Sequence, residues 1–207
     1  MRISALLALL PMFSAVLTAN AQQPAITKAD LASGSHVIVF RHGATDDSQR
    51  DVYPFKFDDL SAQRLLNEKG RETARQIGAD LKKSGLPIGN VFTSRFNRAV
   101  ETGGLISGGE AVAEEALTDS GAGNPSSMAN PTGDNAQAGR SMREVIDRAP
   151  INGTNTLVVT HKTNITDAFG KEFADIREGE AIVLKSSQRQ PAKILGRVKA
   201  SEWATLP

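Results

Sequence analysis

Residues 36–43 read His-Val-Ile-Val-Phe-Arg-His-Gly. The apolar run is short and rich in β-branched and aromatic side chains, which predicts a buried β-strand over His36–Phe40. The run ends abruptly at Arg41-His42-Gly43. A basic residue and a histidine that directly follow a buried strand are expected at the edge of a sheet, where ligands bind.

Two further short stretches predict strands that end in the same way. Asn90–Ser94 predicts a second strand, which is followed by Arg95 and, one helical turn later, by Arg98. Thr156–Thr160 predicts a third strand, which is followed directly by His161. Open parallel sheets bind ligands beyond the carboxyl ends of their strands. The sequence is therefore expected to bring two histidines and two or three arginines to one edge of a sheet.

Helical segments lie between these strands. Apolar residues at helical spacing predict helices over about 67–85, 96–106 and 140–148, and two final strands are predicted over 181–184 and 193–199. Strands that alternate with helices indicate an α/β fold. We expect a three-layer α/β/α sandwich with a mostly parallel central sheet, formed by residues 22–207 as a single domain.

The first 21 residues predict a secretory signal peptide. Arg2 gives a positive start, residues 3–17 carry no charge, and Ala19-Asn20-Ala21 places small residues where a signal peptidase cleaves. The uncharged run is shorter than the ~20 residues that a membrane helix needs. We therefore expect export to the periplasm or secretion, without stable membrane insertion.

Charge and composition exclude several other classes of function. The 24 basic and 23 acidic residues give a net charge of +1, which gives no support for a nucleic-acid or membrane-surface partner. The chain has no cysteine, so it forms neither a disulfide nor a thiolate metal site. No cluster of aspartates or histidines has metal-ligand spacing, and neither a metal nor another cofactor is predicted.

Two histidines together with two arginines suit a phosphoryl group. Arginines bind phosphate oxygens bidentately, and a neutral imidazole can attack phosphorus while a second one stabilises charge on the oxygens. Simpler explanations exist for each residue. His42 and His161 could each be a structural histidine at a strand end. Arg98 could form a surface ion pair with Glu101, and Arg95 could be solvated.

Four stretches resemble, in order, the motifs of the histidine phosphatase (phosphoglycerate mutase-like) superfamily. They are Val37–Thr45, Leu66–Ala74, Ser94–Thr102 and Leu157–His161. The resemblance spans roughly residues 36–185, which is most of the chain after the predicted signal peptide. Together with that signal, it resembles the exported phosphatase branch of the family.

The resemblance implies a role for each matching residue. His42 would be the nucleophile that becomes phosphorylated, and Arg41, Arg98 and His161 would bind the phosphate. The family's second phosphate-binding arginine is the one followed by alanine, which favours Arg98. Arg95 would be an additional substrate-phosphate contact.

The family also uses a general acid after the second arginine, to protonate the leaving oxygen. Asp119 resembles the family's acid position most closely, because it follows Leu117-Thr118 and begins a glycine-rich stretch. The alternatives that the sequence leaves open at this position are Glu114 and Glu115. The remaining candidates, closer in sequence to the nucleophile, are Asp46 and Asp47.

The function expected from these observations is metal-independent hydrolysis of a small-molecule phosphomonoester through a phosphohistidine on His42. Three alternatives remain: an exported phosphate-ligand binding module without turnover, a mutase-like phosphotransferase, and a phosphatase acting on phosphohistidine in proteins. The signal peptide disfavours the last two. The sequence specifies neither the substrate nor the oligomeric state.

Two loops are expected to form the wall of the substrate pocket, because loops determine specificity on such scaffolds. One lies between His42 and Asn67, and the other between Asp119 and Arg140. Three aromatic residues of the first loop either form an apolar pocket wall or simply pack within the loop: Tyr53, Phe55 and Phe57.

Overall fold

The protein is described here by a computed structural model, which covers residues 26–118, 134–148, 150–187 and 190–207. The predicted signal peptide at 1–21 and the candidate acid Asp119 lie outside the described residues. Across the described ranges, no helix has the length and apolar character needed to cross a membrane.

Six strands form the central sheet. They are β1 (His36–Arg41), β2 (Ile88–Thr93), β3 (Val112–Ala113), β4 (Asn155–Thr160), β5 (Ala181–Lys185) and β6 (Lys193–Val198). The spatial order is β3-β2-β4-β1-β5-β6. Strands β1 to β4 pair in parallel, whereas β5 pairs antiparallel with both β1 and β6. The prediction of a mostly parallel sheet is confirmed.

Helices cover both faces of this sheet. They are α1 (Lys28–Ala32), α2 (Glu68–Lys83), α3 (Asn97–Ser107), α4 (Asp134–Ile146) and α5 (Lys162–Phe169). Apolar residues of α2 and α3 share one core cluster with one face of β1 and β4, and those of α4 and α5 share a second cluster with the other face. This is the three-layer arrangement that the alternation of strands and helices predicts.

Strand β1 lies at the centre and is buried on both faces. Ile38 and Phe40 point into the cluster with α2 and α3, and Val37 and Val39 point into the cluster with α4 and α5. All four side chains are fully buried. A strand covered on both sides needs an unbroken apolar run, which explains why β1 is so clear in the sequence.

The sequence predicts some elements less well. No regular element is predicted before β1, but α1 forms there with a capping box between Thr27 and Asp30. Helix α4 begins at 134 rather than 140, although Met142, Val145 and Ile146 are buried as expected. Helix α5 follows His161 directly and is rich in threonine, a weak helix former. Its periodicity is therefore faint in the sequence.

The beginning of α2 holds the loop that follows β1. The side chain of Asn67 caps the helix by accepting a hydrogen bond from the backbone N–H of Gly70 at 2.8 Å. Its Nδ2 donates to the carbonyl of Thr45, and its backbone N–H donates to the carbonyl of Ala44. A side chain at position 70 would collide with the Ala44 backbone. Only glycine there allows α2 to approach the residues after His42 so closely.

Candidate active site

The two histidines meet at the carboxyl edge of the sheet. His42 follows β1 and His161 follows β4, and these strands are paired in parallel. Their imidazole rings lie edge to face, with centroids 5.1 Å apart. The backbone N–H of His42 donates to the carbonyl of Thr160 at 3.0 Å, which fixes the two strand ends relative to each other. Both side chains are buried.

Hydrogen bonding assigns the tautomer of His42. Its Nδ1 lies 2.8 Å from the carbonyl oxygen of Gly43. A carbonyl can only accept, so Nδ1 must carry the proton. In the neutral imidazole the lone pair is then on Nε2. Nε2 is the nitrogen with which His42 can attack an electrophile.

The surroundings keep both histidines neutral. Burial, followed by the charge of Arg98, lowers the pKa of His42 to about 3. Burial and then Arg98 also lower the pKa of His161 well below its usual range. The charges of Arg41 and Arg64 act on both rings in the same direction. The same arginine charges that keep the imidazoles unprotonated would attract an anion.

This pKa shift predicts acid sensitivity of the fold. Because the pKa of His42 is near 3 when folded and near 6.5 when unfolded, the unfolded chain binds more protons between these values. Stability contributed by neutral His42 is therefore complete above about pH 6.5 and is lost as the pH falls toward 3. We expect the midpoint temperature of unfolding to decrease when the pH is lowered from 7 to about 4.5, and to decrease less in His42→Asn. An equal decrease in both proteins would contradict the low pKa of His42.

Arg98 is at the centre of the site rather than on the surface. It is the second residue of α3, its side chain is only 3% exposed, and its Cζ lies 4.1 Å from the centroid of the Phe96 ring. Its Nη1 donates to Oδ1 of Asp51 at 2.9 Å. The surface pair with Glu101 is not what places Arg98, since Glu101 accepts from Nε of Arg71 at 2.7 Å.

Arg41 lies at the end of β1, and its side chain is bound by residues of the segment before β5. Its Nη1 donates to the carbonyl of Ile176 at 2.8 Å, and its Nη2 donates to Glu178 at 3.1 Å. Its Nε is buried and has no hydrogen-bond partner in the described part of the chain. The two partners fix the orientation of the Arg41 guanidinium, whose charge lowers the pKa of both histidines.

Arg95 is placed differently from Arg98. Its side chain is 44% exposed, its Nη1 pairs with Glu115 at 2.7 Å, and its Cζ lies 4.0 Å from the centroid of the Phe57 ring. The two arginines suggested by the sequence are thus separated. Arg98 is buried beside the histidines, whereas Arg95 lies at the rim on an aromatic ring.

Three of the four described acid candidates make side-chain contacts with other residues, and the fourth is exposed. Glu115 pairs with Arg95 and is mostly exposed, and Glu114 pairs with Arg148. Asp46 accepts two hydrogen bonds from Ser48, which lower its pKa, and Asp47 is exposed. Among the residues that the structure describes, the His42 side chain hydrogen-bonds to the Gly43 carbonyl and to none of these four carboxylates.

Four residues that sequence reasoning did not assign complete the site. The charge of Arg64 acts on both histidines, and Asp51 accepts from Arg98 and from the backbone N–H of Arg64. The ring of Phe96 lies against His161, with centroids 5.4 Å apart. Ser94 Oγ is 2.7 Å from Nε2 of His161. Ser94 and Phe96 could have been identified from the sequence, because they follow the second strand. Arg64 and Asp51 could not, because they belong to an irregular loop.

The described residues do not form a group of metal ligands. In the described ranges, no group of three or more histidine, aspartate or glutamate side chains is close enough together to hold a metal ion. The ligands available at the sheet edge are guanidinium and imidazole groups, which suit an anion.

The chain is similar to known proteins in sequence and in fold. The family model "Histidine phosphatase superfamily (branch 1)" matches residues 37–137. The fold is similar to that of the protein histidine phosphatase SixA complexed with tungstate, at 16% identity and a TM-score of 0.56, covering 81% of this chain and 98% of that one.

Two other solved structures are similar. One is a phosphoserine phosphatase from Entamoeba histolytica in complex with phosphoserine, at 12% identity and a TM-score of 0.54, covering 80% and 97% of the two chains. The other is a mycobacterial glucosyl-3-phosphoglycerate phosphatase in complex with VO3, at 16% identity and a TM-score of 0.54, covering 78% and 97%. A search of curated proteins found no match. At these identities, the solved structures show a shared fold.

Proposed function

We propose that this chain, which belongs to the histidine phosphatase superfamily, is a metal-independent phosphatase that hydrolyses a phosphomonoester through a phosphohistidine on His42. The observation that carries this proposal is the state of His42. Its Nδ1–H donates to Gly43, and its low pKa keeps the ring neutral. A neutral imidazole with a fixed lone pair on Nε2 is the activated nucleophile that phosphoryl transfer requires.

The charge of the phosphoryl group would be neutralised by side chains. Arg98, Arg41 and Arg64 all act electrostatically on His42, so an anion beside its Nε2 lies within their field. In kinases and related enzymes, Mg²⁺ ions neutralise the developing charge. The three arginines would supply an equivalent stabilisation, Arg98 most of all because it is buried, and preorganised donors are strongest where water is excluded.

The reaction has two balanced steps. Nε2 of His42 attacks phosphorus as the bond to the ester oxygen breaks, and that oxygen leaves with the electron pair and takes a proton from the acid. Water then attacks phosphorus, the N–P bond breaks, and the proton of the water passes to the same carboxylate. His161, held through Nε2 by Ser94, is left with Nδ1 to contact a phosphoryl oxygen.

We assign the acid role to Asp119, on its match to the family's position. Asp119 directly follows Thr118, the last described residue of that segment. The carbonyl of Thr118 accepts a hydrogen bond from Asn164, which lies three residues after His161. Replacing Asp119 by asparagine should slow esters of alcohols more than p-nitrophenyl phosphate, whose leaving group needs less protonation. If Glu114→Gln or Glu115→Gln has that effect instead, the acid is the residue replaced.

The direct test is hydrolysis of p-nitrophenyl phosphate from acidic to neutral pH with EDTA present, followed by a panel of natural phosphate esters. Turnover that EDTA does not reduce is expected. Turnover that requires an added divalent metal would contradict metal independence. Thermal stabilisation by inorganic phosphate without turnover on any ester would instead identify an exported phosphate-binding module.

We also propose that the chain is exported and that residues 1–21 are removed. The positive start, uncharged run and Ala-Asn-Ala site support this. N-terminal sequencing of protein from the periplasm or medium should begin at Gln22. A chain that retains Met1 in the cytosol would contradict the proposal.

A further inference from the structure

A line of aromatic rings leads from the phosphate site to the surface. The ring of Phe96 lies 5.4 Å from that of His161, Phe55 lies 4.9 Å from Phe96, and Tyr53 lies 5.6 Å from Phe55, all measured between centroids. Phe57 also packs on Phe96, at 5.1 Å. Consecutive rings meet edge to face, which is a favourable aromatic geometry.

The loop that carries the outer rings is fixed to the phosphate-binding residues. At its beginning, Asp51 accepts from Arg98 at 2.9 Å. At its end, the buried amide of Gln63 donates to the carbonyls of Lys56 and Phe57 and accepts from the backbone N–H of Asn97 at the start of α3. The aromatic loop, residues 51–63, therefore holds a defined position relative to the site.

The aromatic loop also contains most of the exposed apolar side chains. Of the five large hydrophobic residues that are exposed in the described structure, three belong to it: Val52, Tyr53 and Leu60. Single exposed apolar residues are ordinary, but their concentration beside a site indicates a binding surface. Tyr53 is 69% exposed.

Only part of the ring line is open to a ligand. Phe96 is 1% exposed, and one face of Phe57 is covered by the guanidinium of Arg95 at 4.0 Å. Phe55 is partly exposed, and Tyr53 is largely exposed. These two rings are therefore the part of the ring line that is open to solvent.

We infer that the substrates are phosphate esters of phenols, with the aromatic ring of the leaving group packed against Tyr53 and Phe55. The inference rests on the proposed phosphatase function and names its substrate class. In the first step, the P–O bond breaks as the bond to Nε2 of His42 forms, and the electron pair leaves on the phenolic oxygen. That oxygen then takes its proton from the acid or from water.

A phenolic leaving group also fits the chemistry of this site. The pKa of a phenol is about 10, whereas the pKa of an aliphatic alcohol is close to that of water, about 15.7. A phenolate therefore needs less protonation as it departs. The carboxylates that the structure describes near the site each pair with an arginine: Asp51, Glu114 and Glu115.

The test compares O-phosphotyrosine with O-phosphoserine, which share an amino-acid backbone and differ in the ring. The value of kcat/KM is measured for both substrates on the full chain and on Tyr53→Ala. The matched control is Ile151→Ala, at an exposed apolar residue away from the site. Comparing variant with wild type for each substrate removes the difference in intrinsic reactivity between the two esters.

We expect Tyr53→Ala to lower kcat/KM for phosphotyrosine about 5- to 10-fold, mostly through KM, and to change phosphoserine less than about twofold. Ile151→Ala should change neither. Equal effects of Tyr53→Ala on both substrates, or no effect on either, would overturn the inference and leave the phosphatase function standing. Absence of turnover on every ester in the wild-type chain would overturn both. A phosphotyrosyl peptide cleaved faster than free phosphotyrosine would indicate a protein as the source of the phenolic ester.

Discussion

His42→Ala should abolish the hydrolysis of p-nitrophenyl phosphate, with kcat reduced by about 10⁴-fold or more. The variant removes Nε2, the only protein atom that bonds to phosphorus in the proposed mechanism. Arginines and His161 would still bind the ester, so KM should change far less than kcat. The measurement is steady-state kinetics of both proteins with EDTA present.

His36→Ala is the matched control for this experiment. His36 is also a buried histidine, but it begins β1, whereas His42 follows the end of that strand. Its replacement disturbs the core to a similar degree and should leave turnover within about a few-fold, after correction for folded protein by thermal unfolding. Retention of a tenth of wild-type kcat in His42→Ala would contradict the nucleophile assignment.

Arg98→Ala should have the second-largest effect and should lower kcat/KM by about 10³-fold. Loss of one oxyanion-stabilising donor costs about 10²–10³ in kcat, and the phosphate also loses a bidentate partner in the ground state. The variant removes the ion-pair partner of Asp51, whose side chain is only 20% exposed. We expect unfolding free energy to fall by about 3 kcal/mol, the lower end for a broken buried pair.

Arg95→Ala provides the comparison that separates the two arginines. Arg95 is 44% exposed and pairs with Glu115 at the rim, so its loss should cost less than about tenfold in kcat/KM and little stability. Arg98→Lys keeps the charge but not the planar fork, and its activity should lie between those of wild type and Arg98→Ala. A larger loss in Arg95→Ala than in Arg98→Ala would reverse the assignment.

Much of the fold follows from the sequence because β1 and β4 are buried strands that pair in parallel. Their apolar runs, Val37–Phe40 and Leu157–Val159, are unbroken, and polar residues follow where each run ends, as at Arg41 and His161. Strand β2 is only partly buried and contains Gly89 and Asn90, so its apolar run is shorter. Parallel pairing then forces these ends together. The short α1 and the threonine-rich α5 are less visible, because capping and tertiary packing stabilise them more than periodicity does.

The candidate site is predictable to the extent that it lies on regular elements. His42, His161 and Arg98 follow strands or begin a helix, so spacing alone places them. Arg64 and Asp51 reach the site because an irregular loop folds back onto α3 through hydrogen bonds of side chains. No period in the sequence encodes such a loop, and only the structure reveals its role.

The aromatic loop illustrates the same limit for specificity. The sequence leaves open whether the three rings pack or form a pocket wall, and the structure shows packing for two of them. Phe55 and Phe57 pack on Phe96, while Tyr53 extends into solvent. The exposure that distinguishes a packed ring from an open one depends on the folded loop rather than on residue type.

The most direct test of the central claim is to trap the phosphorylated intermediate. The chain would be mixed with p-nitrophenyl phosphate, quenched in alkali, where phosphohistidine survives, and analysed by peptide mass spectrometry and phosphorus NMR. We predict one phosphoryl group per chain on His42, attached at Nε2 because Nδ1 donates to Gly43, and no label in His42→Ala. Steady turnover with phosphate on another residue would contradict the account. Turnover by Asp119→Asn without any label on His42 would also contradict it, because loss of the base that activates water should make the intermediate accumulate.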